Sequence, residues 1–304
     1  MSDKVVEVKN VYKSFGKKKI IKDLSFSVDR GEIYGFLGPN GSGKTTTIRM
    51  MVGLIGIDKG DIFIEGYDVR KDKIKALEHV GAIIENPELY KYMSGMQNLI
   101  HFARMSKTPV SQERINEIVK LVKLEHAINK KVKTYSLGMK QRLGVAQALL
   151  HKPSILILDE PTNGLDPEGI HELREYLRYL AKKENISIII SSHLLSEVEL
   201  ICDNIIVIQE GKLIGERTIK NENNSLEEKL DVEIEVDNID LAKKLINSVG
   251  VVKVEKNRIV INLRRDEIPL IINRLIDGGL KIYEVKQITQ SLEEVFLSMT
   301  KEGK

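Results

Sequence analysis

One octapeptide restricts the fold of this 304-residue chain more than any other feature. Gly38-Pro-Asn-Gly-Ser-Gly-Lys-Thr45 matches the pattern G-x-x-x-x-G-K-[ST], in which glycines let the backbone wrap closely around phosphate oxygens. The apolar run Ile33–Leu37 precedes it, and a helical pattern begins at Lys44. A phosphate loop needs this order, because loop N–H groups and the positive end of the following helix both act on the phosphate. The octapeptide therefore predicts an α/β domain that binds a phosphate group.

The side chains of this loop have distinct expected roles. Lys44 is expected to neutralise the β- and γ-phosphates of a nucleotide, and the Thr45 hydroxyl to bind Mg²⁺. An ordinary glycine-rich turn is the alternative, and the flanking strand and helix argue against it. The nucleotide-binding residues predicted here are Gly38, Pro39, Asn40, Gly41, Ser42, Gly43, Lys44, Thr45 and Thr46.

A strand that ends in two carboxylates is the second chemical signal. The continuous apolar run Ile155–Leu158 is typical of a strand buried on both faces, and Asp159 and Glu160 follow it directly. Asp159 is expected to hold Mg²⁺ through water, and Glu160 to polarise an attacking water. Many strands end in acids, so the pair predicts nucleotide hydrolysis only in combination with the phosphate loop.

The rhythm of apolar residues divides the chain into two parts. Residues 1–220 alternate strand and helix patterns, which indicates a layered α/β domain, and a helical stretch at about 90–150 interrupts it. The polar segment at 221–225 is a predicted linker. Residues 225–304 then predict a small accessory α+β domain of order β-α-β-β-α-β, followed by a terminal helix Leu292–Met299.

Composition limits the classes of function. The net charge of +3 does not require nucleic acid as a partner, although it suits a protein beside an anionic membrane surface. The single cysteine, Cys202, excludes an internal disulfide framework, fits a reducing compartment and is expected to be a small packed side chain. The chain has no apolar run of about 18 residues. It shows no signal-peptide pattern. We therefore expect a cytoplasmic protein whose membrane channel, if it uses one, belongs to another chain.

Further motifs fall in an order that resembles the ATP-binding subunits of ABC transporters, over residues 1 to about 220. Tyr135-Ser-Leu-Gly-Met139 stands in the place of the family signature L-S-G-G-Q. Gly164-Leu-Asp166 resembles the D-loop, which in the family spans a dimer interface. His193 resembles the switch histidine that contacts the γ-phosphate, and Phe15 the aromatic residue that stacks on adenine, with Tyr12 as a nearby alternative.

The resemblance implies a P-loop NTPase fold of ABC type with a helical subdomain. It implies ATP and Mg²⁺ as cofactors, with Glu160 and His193 as the catalytic residues. It also implies a head-to-tail homodimer in which the signature of one copy completes the ATP site of the other. The residues implied to act across that dimer are Ser136, Leu137, Gly138 and Asp166.

The resemblance implies two partners, a membrane-spanning permease and a second copy of the chain, and no nucleic acid. It also implies that the chain is cytoplasmic and bound at the inner face of the cell membrane. A soluble ABC ATPase that acts on ribosomes or DNA is the alternative. Ribosome-acting relatives generally join two ATPase units, and this chain has one phosphate loop. A P-loop GTPase or kinase would leave the signature and His193 unexplained.

Two departures from the family pattern narrow the resemblance. Leu137 and Met139 replace Gly and Gln of the signature, which leaves its Ser and second Gly in place. Glu85 stands where most members carry a Gln that touches Mg²⁺ and the permease, so Glu85 is an expected ATP and Mg²⁺ ligand. A solvated acid is the alternative. These features, with Ser291–Phe296, are similar to exporters that protect cells from bacitracin and lantibiotics, and they favour export without identifying the cargo.

Overall fold

The computed structural model describes residues 4–219, 229–246 and 251–288 of the chain. These residues form two compact units, one within Met1–Ile219 and the other within Lys220–Ser298. The predicted linker at 221–225, the terminal helix Leu292–Met299 and the segment Ser291–Phe296 lie outside the described residues.

The first unit alternates strands and helices, as its sequence predicts. Its strands are β1 (Lys4–Phe15), β2 (Lys18–Asp29), β3 (Ile33–Leu37), β4 (Lys59–Ile64), β5 (Tyr67–Asp68), β6 (Val80–Ile83), β7 (Ile155–Asp159), β8 (Ser187–Ser192), β9 (Asn204–Gln209) and β10 (Lys212–Thr218). Its helices are α1 (Lys44–Met51), α2 (Lys73–Glu78), α3 (Gly95–Ala103), α4 (Gln112–Leu121), α5 (Leu137–Ala148), α6 (Pro167–Lys183) and α7 (Leu195–Ile201), and a 3₁₀ turn covers Val132–Thr134.

A six-stranded sheet of order β10-β9-β3-β8-β7-β6 forms the centre of the first unit. Its strands β6, β7, β8, β3 and β9 pair in parallel, and β10 pairs antiparallel with β9. Every residue of β3, β7 and β8 is buried, which explains why the apolar runs within these strands show no alternation. Since parallel strands end at the same edge, the loops after β3, β7 and β8 meet there.

A second, antiparallel sheet of order β2-β1-β4-β5 packs against the parallel one. Its long strands alternate buried and accessible residues, as half-buried strands do. Val6 and Phe26 from this sheet share one apolar core with Ile48 of α1 and Ile157 of β7. The helix that follows the phosphate loop is therefore fixed between two sheets.

The predicted helical stretch lies between β6 and β7 and consists of α3, α4 and α5. Serines start all three helices: Ser94, Ser111 and Ser136 each accept a hydrogen bond from a backbone N–H in the first turn. Helix α4 buries Ile115, Ile118 and Val119, which recur three and four positions apart and so form one apolar stripe. Among the described residues, no helix has the length and apolar character needed to cross a membrane.

The second unit has the predicted order of elements. It contains β11 (Lys229–Val236), α8 (Ile239–Leu245), β12 (Val251–Glu255), β13 (Arg258–Arg264), α9 (Ile268–Asp277) and β14 (Ile282–Ile288). The strands form an antiparallel sheet of order β12-β13-β11-β14. Ile234 and Ile261 of the sheet share a core with Ile271 and Leu275 of α9, so this unit has its own apolar interior.

Candidate nucleotide-hydrolysis site

The phosphate loop connects β3 to α1, with Gly43 as the N-cap of the helix. Gly41 and Gly43 have φ angles of 81° and 111°, a region that side chains rarely tolerate. A Cβ on Gly43 would also lie 2.5 Å from Ile21 Cδ1. Gly43 is therefore required by both conformation and space, and Gly41 by conformation, and the loop is built to expose backbone N–H groups at a helix start.

Lys44 is almost completely buried inside this loop, with 6% of its side chain exposed. Its Nζ donates a hydrogen bond to the Gly38 carbonyl at 2.7 Å and lies 3.8 Å from Glu160 Oε1. Burial lowers the pKa of Lys44, while the negative charges of Glu160 and Asp159 act in the opposite direction. Such a desolvated ammonium gains strongly from an added anion, as a phosphate would supply.

The residues of the loop fit a bound phosphate. The Ser42 hydroxyl is buried and has no hydrogen-bond partner within the described part of the chain. A buried hydroxyl without a partner is costly, and a phosphate oxygen would satisfy it. Thr45 and Thr46 follow in the first turn of α1, half-buried, with the Thr45 hydroxyl at the position that the motif assigns to Mg²⁺.

The two acidic residues at the end of β7 both bind Ser191 of the neighbouring strand β8, Asp159 through its carboxylate and Glu160 through its backbone N–H. The Ser191 hydroxyl donates to Asp159 Oδ1, and the Glu160 N–H donates to Ser191 Oγ at 3.0 Å. Asp159 is 3% exposed, whereas Glu160 turns out of the strand with φ of 50°. The strained turn at Glu160 separates the two acids, so that one stays buried and the other reaches the edge of the sheet.

Glu160 is the centre of a small polar network. One of its oxygens, Oε2, lies 2.7 Å from His193 Nδ1 and accepts a hydrogen bond from Asn163 Nδ2 at 3.1 Å. Its other oxygen faces Lys44. The structure therefore brings together three residues that sequence motifs selected from separate loops, and it orients the Glu160 carboxylate from both sides.

The signature forms the start of α5 and lies beside the loop that contains Asp166. The Ser136 hydroxyl accepts from the Met139 N–H at 3.2 Å and so caps its own helix, as Asp166 caps α6 by accepting from Gly169. Leu137 is 42% exposed, and a Cβ on Gly164 would lie 2.8 Å from Leu137 Cδ2. These residues share one exposed surface, and among the described residues no hydrogen bond or ion pair joins their side chains to Lys44 or Glu160.

Glu85 lies in the loop after β6 and has a φ angle of 66°. In the described part of the chain, its side chain binds a residue of α1 and not the phosphate loop. Its Oε1 accepts a hydrogen bond from Arg49 Nη2 at 2.5 Å. The two side chains are 63% and 42% exposed, respectively. Pro87, two residues further along this loop, packs on Gly144 of α5. The contact is so close that a Cβ on Gly144 would lie 2.6 Å from Pro87.

Phe15 ends β1 at a hairpin and is 53% exposed, with Lys13 Nζ 5.3 Å from its ring centroid. Tyr12, the alternative adenine contact, is 36% exposed on the same strand. Cys202 is buried and free at the end of α7, in agreement with a packed side chain.

Sequence reasoning did not select three of the residues that build this site. Ser191 fixes the acid pair, Asn163 binds Glu160, and Arg49 binds Glu85. The pair Ser191-Ser192 directly before His193 was a usable signal, because polar residues that end a buried parallel strand face its functional edge. Nothing in the sequence alone indicated that Arg49 binds Glu85, because the two residues are 36 positions apart in the chain.

Comparisons with known proteins show what the whole chain is similar to. The family described as ABC transporter matches residues 21–163. The uncharacterized ABC transporter ATP-binding protein YhcH of Bacillus subtilis (strain 168) is 52% identical over 300 residues, which cover 99% of this chain and 97% of YhcH. The bacitracin transport ATP-binding protein BcrA of Bacillus licheniformis is 47% identical over 212 residues, 70% of this chain and 69% of BcrA. The structure of cbiO1 from Clostridium perfringens, part of the ABC transporter complex cbiONQ, covers 72% of this chain and 90% of its own, with 31% identity and a TM-score of 0.67.

Proposed function

The chain belongs to the ABC transporter family as an ATP-binding and ATP-hydrolysing subunit, and we propose that it drives a separate membrane permease that exports a peptide antibiotic or a similar amphipathic compound. The similarity to BcrA, 47% identical, supports a cargo of the bacitracin type. The acidic residue at position 85 and the signature Tyr135–Met139 support the same group. No observation favours action on ribosomes or DNA.

One observation carries the proposed chemistry: Lys44, Glu160 and His193 converge at a single edge of the parallel sheet. Lys44 and the loop N–H groups would bind the phosphates of ATP. Glu160, held by Asn163 and His193, would orient an attacking water and accept its proton. His193 would act through Glu160 and through the γ-phosphate.

Thr45, Asp159 and Glu85 are the residues that would hold Mg²⁺ beside the nucleotide, because the ion prefers hard oxygen ligands and shares them with phosphates. When bound, Mg²⁺ supplies positive charge that offsets the charge of the transferred phosphate group. Asp159 is already oriented by Ser191, whereas Glu85 must leave Arg49 to take part. The acid at position 85 thereby becomes a sensor of metal and nucleotide.

The exposed surface of the signature suits a site shared between two copies of the chain. Ser136 and Gly138 open helix α5, whose N–H groups and positive end would meet a γ-phosphate held by the other copy. Asp166 would lie at the same interface. This arrangement makes ATP the link between two subunits, at the inner face of the membrane, below the permease.

The test of this function is co-expression with candidate membrane permeases, chosen from neighbouring reading frames, in a host that is sensitive to peptide antibiotics. We expect resistance to bacitracin-type peptides with the parent chain and none with Glu160→Gln at the same expression level. Equal resistance from both chains would contradict transport driven by this ATPase. Resistance to unrelated compounds only, with none to bacitracin-type peptides, would instead contradict the proposed identity of the cargo.

A further inference from the structure

The segment that precedes the signature concentrates positive charge. Residues 120–134 contain five lysines and one carboxylate, Glu125. A depression of about 570 Å³ is lined by Lys130, Lys131 and Lys133, together with His126 and Met139. We name Lys130, Lys131 and Lys133 the lysine cluster. It adjoins the signature, because Met139 belongs to the first turn of α5.

The charge of the lysine cluster is not balanced locally. All three side chains are exposed, and none forms an ion pair with a carboxylate in the part of the chain that the structure describes. By contrast, the neighbouring cations Arg114 and Arg142 pair with Glu117 and Glu172. The cluster is therefore a patch of uncompensated positive charge, which attracts anions from solution.

The backbone holds this patch in a fixed position. The backbone of Lys131 forms an isolated antiparallel β-bridge with Ser94, and the Lys133 N–H donates a hydrogen bond to the Lys91 carbonyl at 2.9 Å. Tyr135, between the cluster and the signature, is buried and donates its hydroxyl to the Ala127 carbonyl at 2.7 Å. A surface that is fixed before binding loses little entropy when it meets a charged partner.

We propose that the lysine cluster is an electrostatic docking surface for the nucleoside triphosphate held by a second copy of this chain. The proposal rests on the proposed composite site, in which Ser136 meets that nucleotide. Lys133 precedes Ser136 by three residues, a separation of at most about 10 Å along the backbone. This is close to the Debye length of about 8–10 Å near physiological salt, so the attraction is only partly screened.

This surface discriminates between empty and loaded copies. The hairpin after Phe15 in each copy carries the exposed residues Lys17, Lys18 and Lys19, so this hairpin is positively charged. An empty copy offers the lysine cluster no phosphate charge, whereas a bound triphosphate supplies several negative charges. Association is therefore selective for the ATP-loaded copy and faster than in a neutral interface.

The test compares two double variants that each remove two positive charges, in a Glu160→Gln background that retains ATP. Lys131→Gln/Lys133→Gln alters the lysine cluster. Lys182→Gln/Lys183→Gln is the matched control at the far end of α6, about 25 Å along the helix from Asp166. Association with Mg²⁺–ATP is followed by stopped-flow fluorescence transfer between labelled copies, from low to high salt.

We expect the cluster variant to associate about tenfold more slowly at low salt, with a difference that disappears at high salt. The control should match the Glu160→Gln parent. Binding of a fluorescent ATP analogue to the separated subunits and the thermal unfolding midpoint should be the same in all three proteins, which shows that neither the fold nor the phosphate loop has changed.

Equal association rates for the cluster variant and the control at every salt concentration would overturn the docking surface and leave the composite site intact. A Glu160→Gln parent that stays monomeric with ATP would overturn both. Binding to phosphatidylglycerol vesicles that is lost in the cluster variant, with an unchanged association rate, would assign the lysines to the membrane surface instead and also overturn the proposal.

Discussion

If Glu85 holds Mg²⁺ as proposed, Arg49→Ala should lower the Mg²⁺ concentration that half-saturates ATP hydrolysis, because Arg49 would then compete with the metal for the Glu85 carboxylate. In the structure this carboxylate accepts a hydrogen bond from Arg49 at 2.5 Å. The two side chains are 42% and 63% exposed, so water and salt screen the pair. An exposed pair contributes about 0.2–1 kcal/mol, and its removal should therefore lower the half-saturating concentration by at most about fivefold.

Substitutions at position 85 should change the Mg²⁺ requirement according to the oxygen ligand that they leave. Glu85→Ala removes the oxygen ligand and should raise the Mg²⁺ requirement, whereas Glu85→Gln keeps a ligand and should retain substantial hydrolysis. Arg49→Ala should have no further effect in the Glu85→Ala background, because its competition acts only through that carboxylate. Arg70→Ala, which removes a similarly exposed partner of Asp61, is the matched control and should leave the Mg²⁺ dependence unchanged.

The assay is steady-state ATPase activity of the purified chain against Mg²⁺ at fixed ATP, with resistance measured in parallel in the presence of the permease. If Arg49→Ala changes the Mg²⁺ dependence equally with and without Glu85, the competition does not exist. If Glu85→Ala matches the parent in both hydrolysis and resistance, Glu85 is a solvated surface acid and the assigned role is wrong.

Three further predictions concern the other parts of the account. Mixed dimers of Lys44→Ala and Ser136→Arg subunits should recover ATPase activity above either variant alone, since one intact composite site remains, and proven mixed dimers without activity would refute sharing of the site. A chain that ends near Lys220 should still bind fluorescent ATP, because no nucleotide motif lies beyond it, and loss of binding by a folded truncation would contradict this. Phe15→Ala should weaken ATP binding several-fold more than Tyr12→Ala through lost stacking on adenine, and the reverse order in a titration would move that role to Tyr12.

The local motif of the phosphate loop predicted the backbone geometry of the loop, because such a motif contains its own geometry. The phosphate loop needs positive φ angles at defined glycines and a helix directly afterwards, so Gly43 and Lys44 could be placed without any tertiary information. The apolar runs of β3 and β7 identified buried parallel strands for a similar reason. The order of the strands in the sheet could not be predicted from the sequence, because an apolar run indicates that a strand is buried but not which strand lies next to it.

Contacts between distant segments could not be predicted in this way. Ser191 binds both acids at the end of β7 only because β8 lies between β3 and β7 in the sheet. Arg49 meets Glu85 because α1 and the loop after β6 come together in three dimensions, and either residue alone reads as an ordinary surface charge. Long-range pairing thus decides which charged residues are functional neighbours.

The most direct test of the central claim is ATP turnover and ATP binding of Glu160→Gln, measured on the same preparation. The amide keeps the shape of the side chain and removes its capacity to accept a proton. Hydrolysis should nearly disappear, while ATP affinity is retained and ATP-bound dimers accumulate. Hydrolysis within about threefold of the parent, a barrier change below about 1 kcal/mol, would contradict the assignment of Glu160 as the catalytic base.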